Sequence, residues 1–217
     1  MVMPKDTLRI NEIFYSLQGE GKTVGLPTTF IRLTGCPLRC GYCDTEYAFY
    51  GGETKSIDDI LQKVAQLGAR YINVTGGEPL AQKRVHDLMS QLCDAGYHVS
   101  LETSGALDVS AVDERVIKVL DVKTPASGEE SRNLPENYQY LSEQDQVKYV
   151  ICNKEDFHWS KDHMVKYNLA DKCEVLFSPV QGDLDATELA DWVLSNKLPV
   201  RFQIQLHKYL WGDEPGK

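Results

Sequence analysis

From Thr28 onward, short β-branched apolar runs alternate with segments whose apolar residues recur every three or four positions. That alternation commits a chain to a parallel sheet flanked by helices. After a strand-like stretch from Leu8 to Tyr15, TTFIRL (Thr28 to Leu33) reads as a buried strand. Ile57, Ile60, Leu61, Val64 and Leu67 then mark one helix face, with Ser56 placed to cap it and Gly68 to stop it. YINVT (Tyr71 to Thr75) follows as a strand, Val85, Leu88, Met89 and Leu92 as a helix closed near Gly96, and HVSLE (His98 to Glu102) as a strand. Further strands are expected at Val116 to Val122, Gln146 to Ile151, Glu174 to Phe177 and Val200 to Leu206, with helices at 155–167 and 185–196. At 217 residues the chain is shorter than the roughly 250 of a closed (β/α)8 barrel. The expected fold is therefore α/β, an incomplete, splayed (β/α) barrel of six or seven parallel strands, in one domain spanning 1–217. The least regular stretch, 125–143, carries Gly128, Pro135 and many polar residues and reads as a mobile surface insertion.

Composition narrows the function classes. The net charge of −9 leaves few clustered Lys and Arg for a phosphate backbone, so nucleic acid is not expected as a direct partner. No run approaches the roughly 20 apolar residues that span a bilayer, and the start, MVMPKDTLRINEIF, has no apolar leader. A cytoplasmic protein without membrane contact is expected. The chain is long enough to build a core without disulfide staples, yet three of its six cysteines, Cys36, Cys40 and Cys43, crowd into one stretch while Cys93, Cys152 and Cys173 are scattered. Crowding in a reducing compartment suggests metal or redox chemistry, and scattering suggests small core hydrophobes.

The unusual residues fall just after the proposed strands: GCPLRCGYCDT, TGGEP, ETSG, DVKTP, SPVQGD and QLHKYLWG. In parallel α/β folds this C-terminal edge is where ligands bind. The spacing C-x3-C-x2-C puts three thiolates on one loop, able to hold a soft metal centre. A closed zinc site wants a fourth ligand, and none lies nearby in sequence; three ligands on a four-iron cluster would leave one iron open. From spacing alone an iron–sulfur cluster, zinc and inert cysteines all stay open.

Cys36-Pro-Leu-Arg-Cys40-Gly-Tyr42-Cys43 and Thr75-Gly-Gly-Glu-Pro79, in that order after successive strands, resemble the two signatures of radical S-adenosylmethionine (SAM) enzymes. SLQGEG (Ser16 to Gly21), Thr28 to Thr45, ETSG (Glu102 to Gly105) and QLHKYLWG (Gln205 to Gly212) are similar to one branch, the 7-carboxy-7-deazaguanine synthases. The likeness is densest over the first 105 residues and the last 15 and thin from Thr124 to Leu176. It implies a radical SAM lyase that converts 6-carboxy-5,6,7,8-tetrahydropterin to 7-carboxy-7-deazaguanine with loss of ammonia, for queuosine biosynthesis. It also implies a 4Fe-4S cluster, SAM and Mg2+ as cofactors, an external electron donor such as flavodoxin or ferredoxin, and a homodimer.

By the same resemblance Cys36, Cys40 and Cys43 ligate the cluster, and SAM meets Tyr42, Cys43, Asp44, Gly77, Glu78, Ser104, Asp121, Val122, Lys123 and the turn Ser178, Pro179, Val180 and Gln181. Chemistry fits several of these: glycine lets backbone approach closely, a carboxylate accepts from an ammonium, and a lysine meets a carboxylate. Asp-x-Lys at Asp121 and Lys123 is more typical of radical-generating activases, since many deazaguanine synthases carry Ser-Pro-Lys there. Substrate contacts are expected at Leu17, Gln18, Gly19, Arg32, Thr75, Glu102 and His207. Arg32 offers a planar fork for a carboxylate, with an outward surface arginine as the alternative, and Glu102 a bidentate acceptor for the pterin's amidine edge. Thr45 matches the magnesium position; a backbone cap is the plainer use of such a threonine. The main rival function is an activase for a glycyl radical protein, and a zinc or iron–sulfur binding module is the non-enzymatic one.

Overall fold

The computed structural model describes residues 6–212 together with 214 and 216. Pro215 lies outside the described residues. One nine-stranded sheet is built from β1 (Thr7–Leu17), β2 (Pro27–Leu33), β3 (Glu53–Ser56), β4 (Tyr71–Gly76), β5 (His98–Thr103), β6 (Ile117–Val122), β7 (Gln146–Ile151), β8 (Glu174–Pro179) and β9 (Arg201–Phe202). Their order is β3-β1-β2-β4-β5-β6-β7-β8-β9. From β2 through β4 to β9 every neighbour is parallel, seven strands in all, while β1 runs antiparallel to β2 and β3. The order is linear, so the barrel is open, as its length implied.

The parallel strands are apolar on the face that packs against the helices and carry Asn73, Glu102, Asp121 and Lys148 on the other. Ile72, Val74, Leu101, Val147 and Tyr149 have no exposed surface. Helix α1 (Ile57–Leu67) starts on a capping box between Ser56 and Asp59 and stops at Gly68, whose φ of 71° lets its N–H reach the Val64 carbonyl. Helix α2 (Val85–Asp94) buries Val85, Leu88, Met89 and Leu92. Helices α3 (Lys154–Lys166) and α4 (Ala186–Ser195) begin at Asn153 and Asp185, whose side chains accept the first free N–H groups.

Two expectations are corrected. The stretch 125–143 does not stand away from the body: it forms 3-10 turns at Pro125–Ser127, Glu130–Arg132 and Pro135–Tyr140 and buries Ser127, Asn137 and Tyr138. Asn137 Nδ2 donates to the Gly105 and Leu107 carbonyls at 3.0 and 2.8 Å, which ties the stretch to the end of β5. The strand expected over Val200 to Leu206 pairs only at Arg201–Phe202. Beyond it the loop after β1 captures the chain, with Gly21 N–H donating to Gln203 Oε1 at 2.8 Å and Leu206 N–H to the Gly19 carbonyl at 3.0 Å. The chain then turns into a short helix, α5 (Leu206–Trp211). Of the scattered cysteines only Cys173 is fully in the core, while Cys93 and Cys152 are half-buried.

Candidate active site

The C-terminal ends of the parallel strands surround a cavity of about 240 Å³. Cys36, Cys40 and Cys43 line it together with Thr45 and with Leu17, Gln18, Gly19, Arg32, Thr75, Glu102 and His207. Tyr42, Asp44, Gly77, Ser104, Asp121, Lys123 and Val180 line it too. Glu78, Val122, Ser178, Pro179 and Gln181 do not; Pro179 and Gln181 face a neighbouring cavity between the β8–α4 loop and α5.

At one end the cysteine loop is held from both sides. Gly77 N–H reaches the Leu33 carbonyl at 3.1 Å and Glu78 N–H the Gly35 carbonyl at 2.8 Å. A Cβ on Gly77 would lie 2.4 Å from the Gly35 oxygen and 2.8 Å from Cys36 Cβ, so only glycine lets β4's loop close on the cysteines. From the other side Gly41 N–H donates to the Ser127 carbonyl at 3.0 Å and Arg39 N–H to Glu129 Oε1 at 2.5 Å. The three thiols are half-buried and free. Burial pushes each thiol pKa up, Cys40 to about 11 against the pull of the Lys123 ammonium. Among the described residues no three His, Cys, Asp or Glu side chains are grouped tightly enough for a single metal ion. Three soft donors spread around a cavity wall suit a polynuclear cluster, whose positive irons would make thiolates of them.

The other end is walled by carboxylates that face one ammonium. Lys148 Nζ donates to Glu20 Oε2 at 2.8 Å and lies 3.7 Å from Glu102 and 3.8 Å from Asp121. Asp121 in turn pairs with Lys123 at 3.0 Å. Burial pushes Glu102 up to about 7, with Lys148 opposing and Glu20 and Asp121 adding to the rise. Glu20 Oε1, Asp121 Oδ1 and Asn73 Oδ1 are buried without a hydrogen-bond partner among the described residues, three acceptor oxygens beside a cavity. His207 closes this end against Gly19, where a Cβ would come 2.0 Å from Nδ1, and burial lowers its pKa.

Glu20, Asn73 and Lys148 are missing from the expected site. Glu20 sits inside the quoted SLQGEG, and Lys148 stands in the middle of QVKYVI, where a lysine buried to 7% exposure needs a partner. Those were the available signals.

Three expected contacts take a different form. Arg32 is not a free fork: its Nε donates to Glu12 Oε1 at 2.7 Å, and its guanidinium lies between the rings of Phe14 and Tyr47. Only its terminal nitrogens remain for a ligand. Glu78 is fully buried behind the cavity wall, and its oxygens accept from Leu80 N–H, Thr103 Oγ1, and the N–H and Oγ of Ser104 at 2.6–3.0 Å. It braces Ser104 and the turn after β4. Thr45 stands at the start of a 3-10 turn without making a side-chain cap; its hydroxyl donates to Asp44 Oδ1 at 2.8 Å. Asp44 is bound by Gln205 at 3.2 Å and Lys208 at 3.1 Å, which overcome its burial and hold its carboxyl below the usual range.

Residues 30–123 match the family described as the Radical SAM superfamily. A 7-carboxy-7-deazaguanine synthase of Chlorobaculum tepidum is 42% identical over 210 residues, 95% of this chain and 96% of that protein. A 7-carboxy-7-deazaguanine synthase of Koribacter versatilis is 40% identical over 222 residues, 95% of this chain and 98% of that protein. Among solved structures, QueE from Escherichia coli superposes with a TM-score of 0.78 at 25% identity, covering 93% of this chain and 95% of that one.

Proposed function

The chain belongs to the 7-carboxy-7-deazaguanine synthase family, and from that premise we propose that it converts 6-carboxy-5,6,7,8-tetrahydropterin to 7-carboxy-7-deazaguanine with loss of ammonia, for queuosine biosynthesis. The observation that carries the reading is a single cavity with a soft-donor end and, opposite, a wall of buried acceptor oxygens without partners. A tetrahydropterin brings the matching N–H donors on its aminopyrimidine edge and a carboxylate on its far side.

The cysteine loop would hold the 4Fe-4S cluster through Cys36, Cys40 and Cys43, and with SAM that group supplies hydrogen-atom abstraction when bound. The chain's own part is placement. Ser104 and Lys123 offer a hydroxyl and an ammonium to the cofactor's ribose and carboxylate. Glu20 and Glu102 accept from the aminopyrimidine edge, Gly19 lets the backbone and His207 close over the ring, and the terminal nitrogens of Arg32 take the substrate carboxylate. Thr45, with its hydroxyl beside Asp44 and on the cavity wall, is the residue that would hold Mg2+, which would help to fix the substrate carboxylate. The reading carries with it a homodimer in the cytoplasm and an external one-electron donor such as flavodoxin or ferredoxin. Among the described residues no helix is long and apolar enough to cross a membrane.

Anaerobic incubation of reconstituted, reduced protein with SAM, Mg2+ and the carboxytetrahydropterin tests the assignment. Deazapurine and ammonia are the expected products. Cofactor cleavage without deazapurine overturns it in favour of an activase.

A further inference from the structure

Four ionisable side chains from separate parts of the chain meet beneath the cavity. Glu20 comes from the loop after β1, Glu102 from β5, Asp121 from β6 and Lys148 from β7. Asp121 and Lys148 are direct register partners on adjacent parallel strands, so their side chains share one face of the sheet. All four side chains are at most 18% exposed. Three carboxylates at this depth repel one another, and among the described residues Lys148 is the ammonium within 4 Å of all three. Its shortest bond, 2.8 Å, takes a single oxygen of Glu20 and leaves Oε1 without a partner. Asp121 likewise has Oδ2 engaged by the lysines and Oδ1 unengaged. Glu20 and Asp121 thus each have one oxygen facing a lysine and one left for a ligand.

We propose that Lys148 is a positioning residue: it holds Glu20 and Glu102 together as one acceptor wall for the substrate's donor edge, and through Asp121 it couples that wall to Lys123 at the cofactor end. This rests on the reading of the carboxylate end as the pterin's recognition edge. The groups facing Glu102 are Asn73 from β4, Asp121 from β6, Lys148 from β7, and Glu20, Lys123 and His207 around the cavity. Of these Lys148 is the main influence that limits the rise burial causes in Glu102. Without it Glu102 rises further and stays protonated through neutral pH, and a neutral carboxyl presents an O–H where the substrate needs an acceptor.

Lys148→Met keeps the length of the side chain and removes its charge; Lys148→Arg keeps the charge. In Lys148→Met, KM for the pterin should rise about tenfold at neutral pH while SAM affinity stays within about twofold, and the acid limb of kcat/KM should move up by about one pH unit or more. Lys148→Arg should restore most of that shift. Infrared titration of protein free of cluster and substrate reads the same event without turnover: the protonated carboxyl band of Glu102, identified by its loss in Glu102→Gln, should persist to higher pH in Lys148→Met. An unmoved band and acid limb overturn the proposal, as does an equal loss of SAM and pterin affinity without a pH shift. If Lys148→Met does not fold, Glu20→Gln/Lys148→Met removes one charge of each sign, and because Lys148 acts on Glu102 more strongly than Glu20 does, its Glu102 band should persist to higher pH than in wild type and in Glu20→Gln; a band at the Glu20→Gln position overturns the proposal. A wild-type protein that makes no deazapurine yet shows the band shift sinks the functional reading and leaves the electrostatic role of Lys148 standing. Turnover without a shift does the reverse.

Discussion

A methyl group on residue 19 would sit 2.0 Å from Nδ1 of His207, so Gly19→Ala must push the imidazole and the start of α5 away from the cavity. Displacement of a positioning group by about 1 Å is enough to cost on the order of 100-fold in rate. Gly19→Ala should lower kcat/KM for the pterin by about 10- to 100-fold, with SAM affinity unchanged; wild-type kinetics in this variant would remove His207 from the substrate site. Arg32→Lys poses a sharper question, because Glu12 already takes the Nε. A lysine keeps the ion pair and loses the terminal nitrogens, so pterin binding should weaken by about 1–3 kcal/mol while SAM binding holds. Equal losses in two binding titrations would make Arg32 a structural residue. At this scale the cysteines and glycines were legible because their roles depend on spacing and on the absence of a side chain, both written in the sequence. Lys148 and Glu20 were not, because their roles depend on partners 128 positions apart. The Glu12–Arg32 pair belongs to the same class, formed by the antiparallel register of β1 on β2.

Elements show the same division. Alternating periods gave the parallel ladder, since short β-branched apolar strands and helix-spaced apolar faces follow one another along the chain. The polar ETKS of β3 has no such mark and becomes a strand only by pairing with β1. RFQIQL alternates like a strand, yet after Gln203 N–H donates to Phe177 of β8 the loop after β1 takes over, Gly21 N–H holding the Gln203 side chain and the Gly19 carbonyl the Leu206 N–H, and no third ladder pair forms. The stretch 125–143 looked loose because it lacks periodicity, whereas side-chain bonds from Asn133 and Asn137 organise it. Asn137 is 2% exposed, donates to two carbonyls and accepts from Val109 N–H at 3.1 Å. Asn137→Ala leaves those buried groups unsatisfied and should lower stability by about 2–3 kcal/mol in urea unfolding, against about 1 kcal/mol for the exposed helix cap in Ser56→Ala. Similar losses at both sites would mean that the stretch is bound no more tightly than a frayed helix end.

Over the whole molecule, the net charge of −9 says little about stability between pH 4.5 and 6.5, because few groups titrate there differently in the folded and unfolded chain. Asp44, held low, has its stabilising effect fully present above its ordinary 3.8 and loses it only in stronger acid. His163 is half-buried among Tyr138, Tyr149, Trp159 and Tyr167, with Tyr149 Oη 2.8 Å from Nδ1. Burial, with Lys166 adding, lowers it from 6.5 to about 4, so between those values the unfolded chain binds more protons and stability rises with pH. His207, also lowered, contributes in the same sense. Glu102 works in the opposite direction. Raised from 4.5 to about 7, it binds more protons in the folded chain across that interval, so its contribution falls as pH rises. In the apoprotein these slopes oppose each other, and the urea midpoint should vary weakly from pH 4.5 to 6.5. Glu102→Gln removes the falling component, and its midpoint should climb with pH more steeply than that of wild type. His163→Gln removes a rising one, and its midpoint should climb less or decline. Parallel curves for wild type and Glu102→Gln would mean that Glu102 is already ionised throughout this range in the folded chain, and that the ammonium of Lys148 outweighs the burial of the carboxylates around it.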